Sequence, residues 1–249
     1  MGVAVPAGIE RRLIRPPAAA VFTEAELDGL PSPVRRYLRY AIAEGTPLAS
    51  TARLHMRGHI KLGRWLPFQA QQLLDPHHGF HWGARVAGLM SGFDCYAAGQ
   101  GQMRWKLAGL VPVMVADGPD LSRSAAGRVA GEAMWVPTAL LPRYGVDWSA
   151  VDDRHLTARW RIDRFEVELQ LVVDGTGRLR SSVFRRWGDP DHTGTFGLYP
   201  CGGDVTSDAA FGGVSVPGTG RAGWFYGTDR WPEGEFFRYQ ITSLQLIGQ

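Results

Sequence analysis

Lysine is almost absent from this chain of 249 residues, with Lys61 and Lys106 the only two. The remaining basic residues are arginines, scattered among 24 acids without a block of like charge, so the formal net charge is only +3. A nucleic-acid-binding surface would concentrate its cations in a stripe, so no nucleic-acid partner is expected. Cysteine is nearly as scarce. Cys95 and Cys201 form neither a C-x-x-C pair nor a zinc spacing, and the expectation is two free thiols in a reducing compartment. No run of 18 apolar residues occurs, which excludes a membrane-spanning helix. In residues 1–21 the apolar start precedes Arg11, Arg12 and Arg15, the reverse of a secretory signal. A cytoplasmic protein is therefore expected.

What is present points to a sheet protein with many turns. Hydrophobic residues make up 45%, aromatic residues 11%, and there are 32 glycines and 16 prolines. A chain of this length buries about 70% of its surface on folding, enough for a core without disulfides or a structural metal.

Residues 22–45 read as helical, with Thr23 as N-cap and a second helix over Val34–Ala43. From Arg53 the period becomes two. Leu54, Met56 and Ile60 alternate with Arg53, His55, Arg57, His59 and Lys61, the pattern of a half-buried strand. Further strands are predicted over 65–74, 80–85, 93–98 and 102–107, then over 156–162, 165–173 and 179–187. Short strands follow near 195–199, 211–216 and 221–226, with a long one over 234–246. Between these two strand-rich halves, Gly127–Leu141 reads as one apolar, buried helix kinked at Pro137.

The fold class follows: mainly β (α+β), a strongly curved antiparallel sheet or incomplete barrel wrapped around a central helix, with N-terminal helices. Residues 1–21 are expected to be a poorly ordered or peripheral N-terminal extension, and 22–249 a single curved-sheet domain. The clean alternation suggests no large exposed apolar patch.

Few motifs carry chemistry. His55 and His59 fit a solvated strand face, and His77-His78-x-x-His81 lacks the carboxylates and spacing of a metal centre, so no metal is expected. The glycine pairs Gly99-x-Gly101 and Gly218-x-Gly220 lack the phosphate-loop pattern, and no cofactor is expected. Glu132 is the one carboxylate in the apolar helix. It needs a partner, for which Arg85, Arg185 or Arg186 on facing strands are candidates. A structural or interaction module would need the large exposed apolar patch that the alternation does not suggest, and two readings are preferred to it. In one, the protein holds a small hydrophobic or amphipathic molecule between sheet and helix, with Trp65, Phe68, Trp82, Trp105, Trp135, Thr138 and Trp187 as lining. In the other it is an enzyme of cyclase, isomerase or hydrolase type, using Glu132 with Arg186 or Tyr96 in the same cavity.

Five segments carry a resemblance: W-L-P-F-Q-A-Q-Q (65–72), G-F-H-W-G-A-R (79–85), F-D-C-Y-A-A-G-Q-G (93–101), G-E-A-M-W-V-P-T-A-L-L-P (131–142) and G-E-F-F-R-Y-Q-I-T (234–242). Over about residues 30–246 the chain resembles a bacterial family of uncharacterised proteins, a domain of unknown function with W-x-P-F-x-A-Q and W-x-P-T-A-L-L-P motifs. That resemblance implies no activity and no catalytic residue. The strand-rich pattern around a buried helix is similar in architecture to half-barrels that carry lipoproteins or lipids.

Overall fold

A computed structural model of the chain describes residues 5–14 and 20–247. Among these residues thirteen strands form one antiparallel sheet. The first meander contains β1 (Thr51–Leu62), β2 (Arg64–Asp75), β3 (Gly79–Val86), β4 (Met90–Ala97), β5 (Gln100–Leu107) and β6 (Val111–Ala116). The second contains β7 (Asp147–Ala150), β8 (His155–Ile162), β9 (Phe165–Val173), β10 (Leu179–Gly188), β11 (Gly197–Phe211), β12 (Val214–Trp224) and β13 (Glu235–Ile247). The first and last strands join the two: β1 pairs with β13 from Thr51–Ile247 to Ile60–Phe237. The sheet order therefore runs from β6 through β1 and β13 to β7, leaving β6 and β7 as its edges.

The helix between the meanders covers the concave face. It spans Pro119–Glu132 and packs against β5 on one wing and β9 and β10 on the other. Helix α1 (Ala7–Leu13) and helix α2 (Ser32–Ala41) precede the sheet, so this crossing helix is α3, and a short α4 (Trp231–Gly234) precedes β13. Helix α2 closes the end of the sheet where β11 turns into β12, through a backbone bridge between Ile42 and Val214. Of the segment 1–21, residues 1–4 and 15–19 lie outside the described residues. Leu13 at the end of α1 is fully buried, and its carbonyl accepts a hydrogen bond from Thr51.

The predicted helix over 127–141 starts earlier and stops sooner. Pro119 supplies the fixed backbone angle that suits a first helical turn. The chain leaves the α-helix at Glu132 and continues as 3₁₀ turns over Ala133–Trp135 and Pro137–Leu140. Pro137 cannot donate within a helix, so the apolar run there packs as turns. Ala126, Val129, Ala130, Ala133 and Leu140 are all within 1% of full burial.

The three short strands predicted between 195 and 226 are two long ones. Glycines that read as turns are instead places of close approach within the sheet. A Cβ on Gly203 would sit 1.7 Å from the Arg221 carbonyl oxygen, and one on Gly202 2.1 Å from that of Ser182. The expected N-terminal helix is also shorter. Glu24–Leu27 is a 3₁₀ turn, and the Thr23 side chain makes no capping bond.

One element contradicts the expectation of a surface without apolar patches. Every residue of β6 except Ala116 is exposed, and the strand, V-P-V-M-V-A, carries no charge.

Candidate ligand cavity

Side chains of β1, β3–β5 and β10–β13 meet the last turn of α3 and the 3₁₀ turn after it around a cavity of about 400 Å³. It lies towards the end of the sheet opposite α2, with Ile60 and Leu62 of β1 beside Phe236 and Phe237 of β13. Apolar walls come from Trp82, Trp135, Phe184, Trp224 and Tyr239. Phe237 stacks on Phe68 with ring centres 4.9 Å apart, and Trp135 meets Tyr239 edge-on at 5.2 Å.

The cavity also has a polar patch. Arg128, on α3, donates from Nε to Glu132 Oε1 at 2.7 Å and from Nη1 to Asp94 Oδ2 at 2.9 Å. Trp105 Nε1 donates to the other Asp94 oxygen at 2.8 Å, and Gln72 Nε2 donates to Glu132 Oε2. The Arg128 guanidinium lies 4.5 Å from the centre of the Phe80 ring, a favourable cation–π arrangement. Burial pushes the Asp94 carboxyl above the ordinary carboxylate range, with Arg128 and the Trp105 N–H acting in the opposite sense.

Arg186, on β10, is held differently. Its Nε donates to the Ser124 carbonyl at 3.3 Å, and its guanidinium lies 5.0 Å from the centre of the Trp224 ring. Among the described residues no carboxylate comes within ion-pairing distance of it. Burial pulls its pKa below the ordinary arginine value, with the Cys201 thiol opposing that change. Arginine keeps its charge through such shifts, so the cavity presents a cation with no carboxylate in direct contact, its charge felt only at longer range by Glu132 and Asp94.

The structure brings together part of the set expected from sequence. Glu132, Arg186, Trp82 and Trp135 line the cavity. Phe68 and Trp105 stand behind it, through Phe237 and Asp94 respectively. Four residues lie elsewhere. Tyr96 is fully buried and donates to Asp163 Oδ2 at 2.7 Å. Thr138 donates to the Ala49 carbonyl at 2.6 Å, a bond between a 3₁₀ turn and the segment entering β1. Trp65 stacks under Arg238, and Trp187 donates to Asp120 Oδ1 at 2.7 Å. The partner of Glu132 is Arg128, not Arg85, Arg185 or Arg186. Its position four residues earlier on the same helix was the available signal. Phe237 and Tyr239 were legible too, as the inward set of the final alternating strand.

The histidines have separate roles. His77 Nε2 bonds the Ala139 carbonyl, His78 Nδ1 bonds Asp75, and His81 stacks on Phe93. Among the described residues no three His, Cys, Asp or Glu side chains converge as metal ligands would.

Comparison with curated proteins gives no match. Among solved structures, the chain is similar to a LolA-superfamily protein from Nitrosomonas europaea, at 10% identity and a TM-score of 0.43, covering 86% of this chain and 92% of that one. It is also similar to a DUF1329 family protein from Desulfovibrio piger, at 12% identity and a TM-score of 0.35, covering 80% and 86%. Among the described residues no helix is long and apolar enough to cross a membrane. Residues 20–236 match DUF6544, and the chain belongs to this family of unknown function.

Proposed function

We propose that the protein binds a small amphipathic molecule, an apolar chain with an anionic head, in the cavity between α3 and the sheet. One observation carries this reading: an aromatic-walled space of about 400 Å³ that contains a guanidinium without a carboxylate partner. The volume falls within the range of about 300–1,000 Å³ typical of ligand sites. A buried cation without a carboxylate in direct contact is costly. A carboxylate or phosphate head beside Arg186 removes that cost, while the tail occupies the space between Trp82, Trp135 and Phe237.

The acid–base reading is less well supported. Both Glu132 oxygens already accept hydrogen bonds, from Arg128 and Gln72, which leaves the carboxylate little freedom to move a proton. The proposal treats residues 22–249 as one binding unit and assigns no nucleic-acid partner. It places the protein in the cytoplasm, on the ground that Cys95 and Cys201 are free thiols.

The test is native mass spectrometry and solvent extraction of the purified protein, followed by titration with cis-parinaric acid and with the corresponding alcohol. Wild type is expected to bind the acid, and Arg186→Gln to weaken the acid about tenfold while changing the alcohol little. A wild-type protein that takes up neither probe and releases no amphiphile on extraction overturns the proposal.

A further inference from the structure

Strands joined by tight turns alternate in direction, so every second turn of the β1–β6 meander falls at the same end of the sheet. These are the turns around Gly63, Gly88 and Gly109, at the end where the cavity lies. Their apolar side chains point into solvent. Leu89 is 64% exposed, Leu110 80% and Val111 58%, and Leu62 and Leu107 are exposed as well. The adjoining edge strand β6 continues this surface with Val113, Met114 and Val115. Proteins rarely leave an edge strand apolar on both faces without a partner for it.

The charge around these turns has one sign. Lys61, Arg64, Arg85 and Lys106 flank them, and both lysines of the chain are in this group. Among the described residues none of the four forms an ion pair. Between Thr51 and Ala116 the only acids are Asp75 and Asp94. Asp75 is fully buried, and Asp94 is tied to Arg128. The wing therefore shows solvent an apolar crest bordered by unneutralised cations.

We propose that this end of the sheet docks onto an anionic lipid bilayer. The leucine and valine side chains of the turns enter the headgroup region, and Lys61 and Lys106 extend back to lipid phosphates. A second copy adding a strand to β6 fits less well. Pro112 has no N–H to offer, and the ladder is already irregular between Trp105 and Lys106. The inference goes beyond ligand binding in the cavity and does not depend on it, because the docking surface is complete without a bound molecule.

Flotation with vesicles of phosphatidylcholine, with and without phosphatidylglycerol, tests it. Wild type is expected to float with the phosphatidylglycerol vesicles and to detach as salt is raised. The exposed double variants Leu110→Ser/Val111→Ser and Lys61→Gln/Lys106→Gln, with unchanged circular dichroism, are each expected to bind about tenfold more weakly. Absence of flotation by wild type, or equal flotation by all three proteins, overturns the proposal. Self-association that Leu110→Ser/Val111→Ser abolishes, in a protein that ignores vesicles, also overturns it and makes the crest a protein interface. Because vesicle binding and probe uptake are separate readouts, failure of one is distinguishable from failure of the other.

Discussion

Arg128 and Glu132 stand one helical turn apart on α3, joined by a 2.7 Å hydrogen bond from Nε to Oε1. Both side chains are about 85% shielded from solvent, and so is Asp94, the second partner of Arg128. One guanidinium thus holds two shielded carboxylates that belong to different elements, the helix and β4.

Arg128→Met keeps most of the side-chain length and removes the charge. It is expected to destabilise the fold by about 3–5 kcal/mol near neutral pH, because two shielded carboxylates then lose the guanidinium they pair with. Burial already raises the Asp94 pKa in the wild type, and Arg128 works against that rise. Without Arg128 the folded-state pKa moves further up. A group whose folded pKa is raised favours the folded state at low pH and loses that contribution as pH rises through the folded value. The deficit of Arg128→Met should therefore be smaller at about pH 5 than at about pH 8. Urea denaturation of both proteins at the two pH values checks this, and a deficit that grows on acidification contradicts it.

How far the sequence discloses such a cluster depends on what kind of signal its members leave. Strand β1 was legible because Leu54 and Met56 alternate with exposed His55 and Arg57, and burial on one face imposes that period. Strand β6 left no such trace: both faces are exposed and both are apolar, so no alternation exists to read. Asp94 and Arg128 lie 34 residues apart, and only the tertiary fold brings them together. Tyr96 sits two residues beyond Asp94 on the same strand face. Local sequence could not show that its hydroxyl meets Asp163 across the fold, away from the cavity.

The glycines of α3 separate packing from propensity. A Cβ on Gly131 would lie 2.1 Å from Phe184 Cε1, whereas one on Gly127 would meet nothing nearer than 3.5 Å. Gly131→Ala is expected to push the Phe184 ring, cost about 1–3 kcal/mol and reduce probe uptake, since Phe184 lines the cavity. Gly127→Ala is expected to stabilise the protein by up to about 1 kcal/mol, through helix propensity alone. Thermal melts combined with parinaric acid titration distinguish the two. Equal effects at the two positions would argue against close packing of α3 on β10.

Burial of the thiols sets their reactivity. Cys95 is 3% exposed, and burial, reinforced by the neighbouring Asp94 charge, pushes its pKa up to about 11. Cys201 is raised by burial as well, with Arg186 opposing. Thiolate is the reactive form, so both cysteines should react with a disulfide reagent only as fast as the protein opens. Ligand in the cavity should slow Cys201, which lines it, more than Cys95. Mass-resolved labelling with and without bound amphiphile measures this, and rapid modification of native Cys201 would show that the cavity admits solvent freely.

His81 is fully buried on β3, stacked on Phe93 with ring centres 5.1 Å apart, and neither ring nitrogen has a protein partner. Burial lowers its pKa from the ordinary 6.5 to about 4. The unfolded chain therefore takes up a proton at a pH where the folded protein cannot. This histidine's contribution to stability is complete above about pH 6.5 and is lost as pH falls towards about 4, a change of up to about 3 kcal/mol across that window. His81→Phe removes the titrating group while keeping an aromatic ring beside Phe93. It is expected to equal or exceed the wild type at neutral pH, since it also removes two unpaired polar atoms. It should then lose markedly less stability than wild type on acidification from about pH 7 to about pH 5. Urea midpoints at both pH values decide the matter: parallel losses in the two proteins would place the acid sensitivity elsewhere, at the carboxylates that pair with arginine.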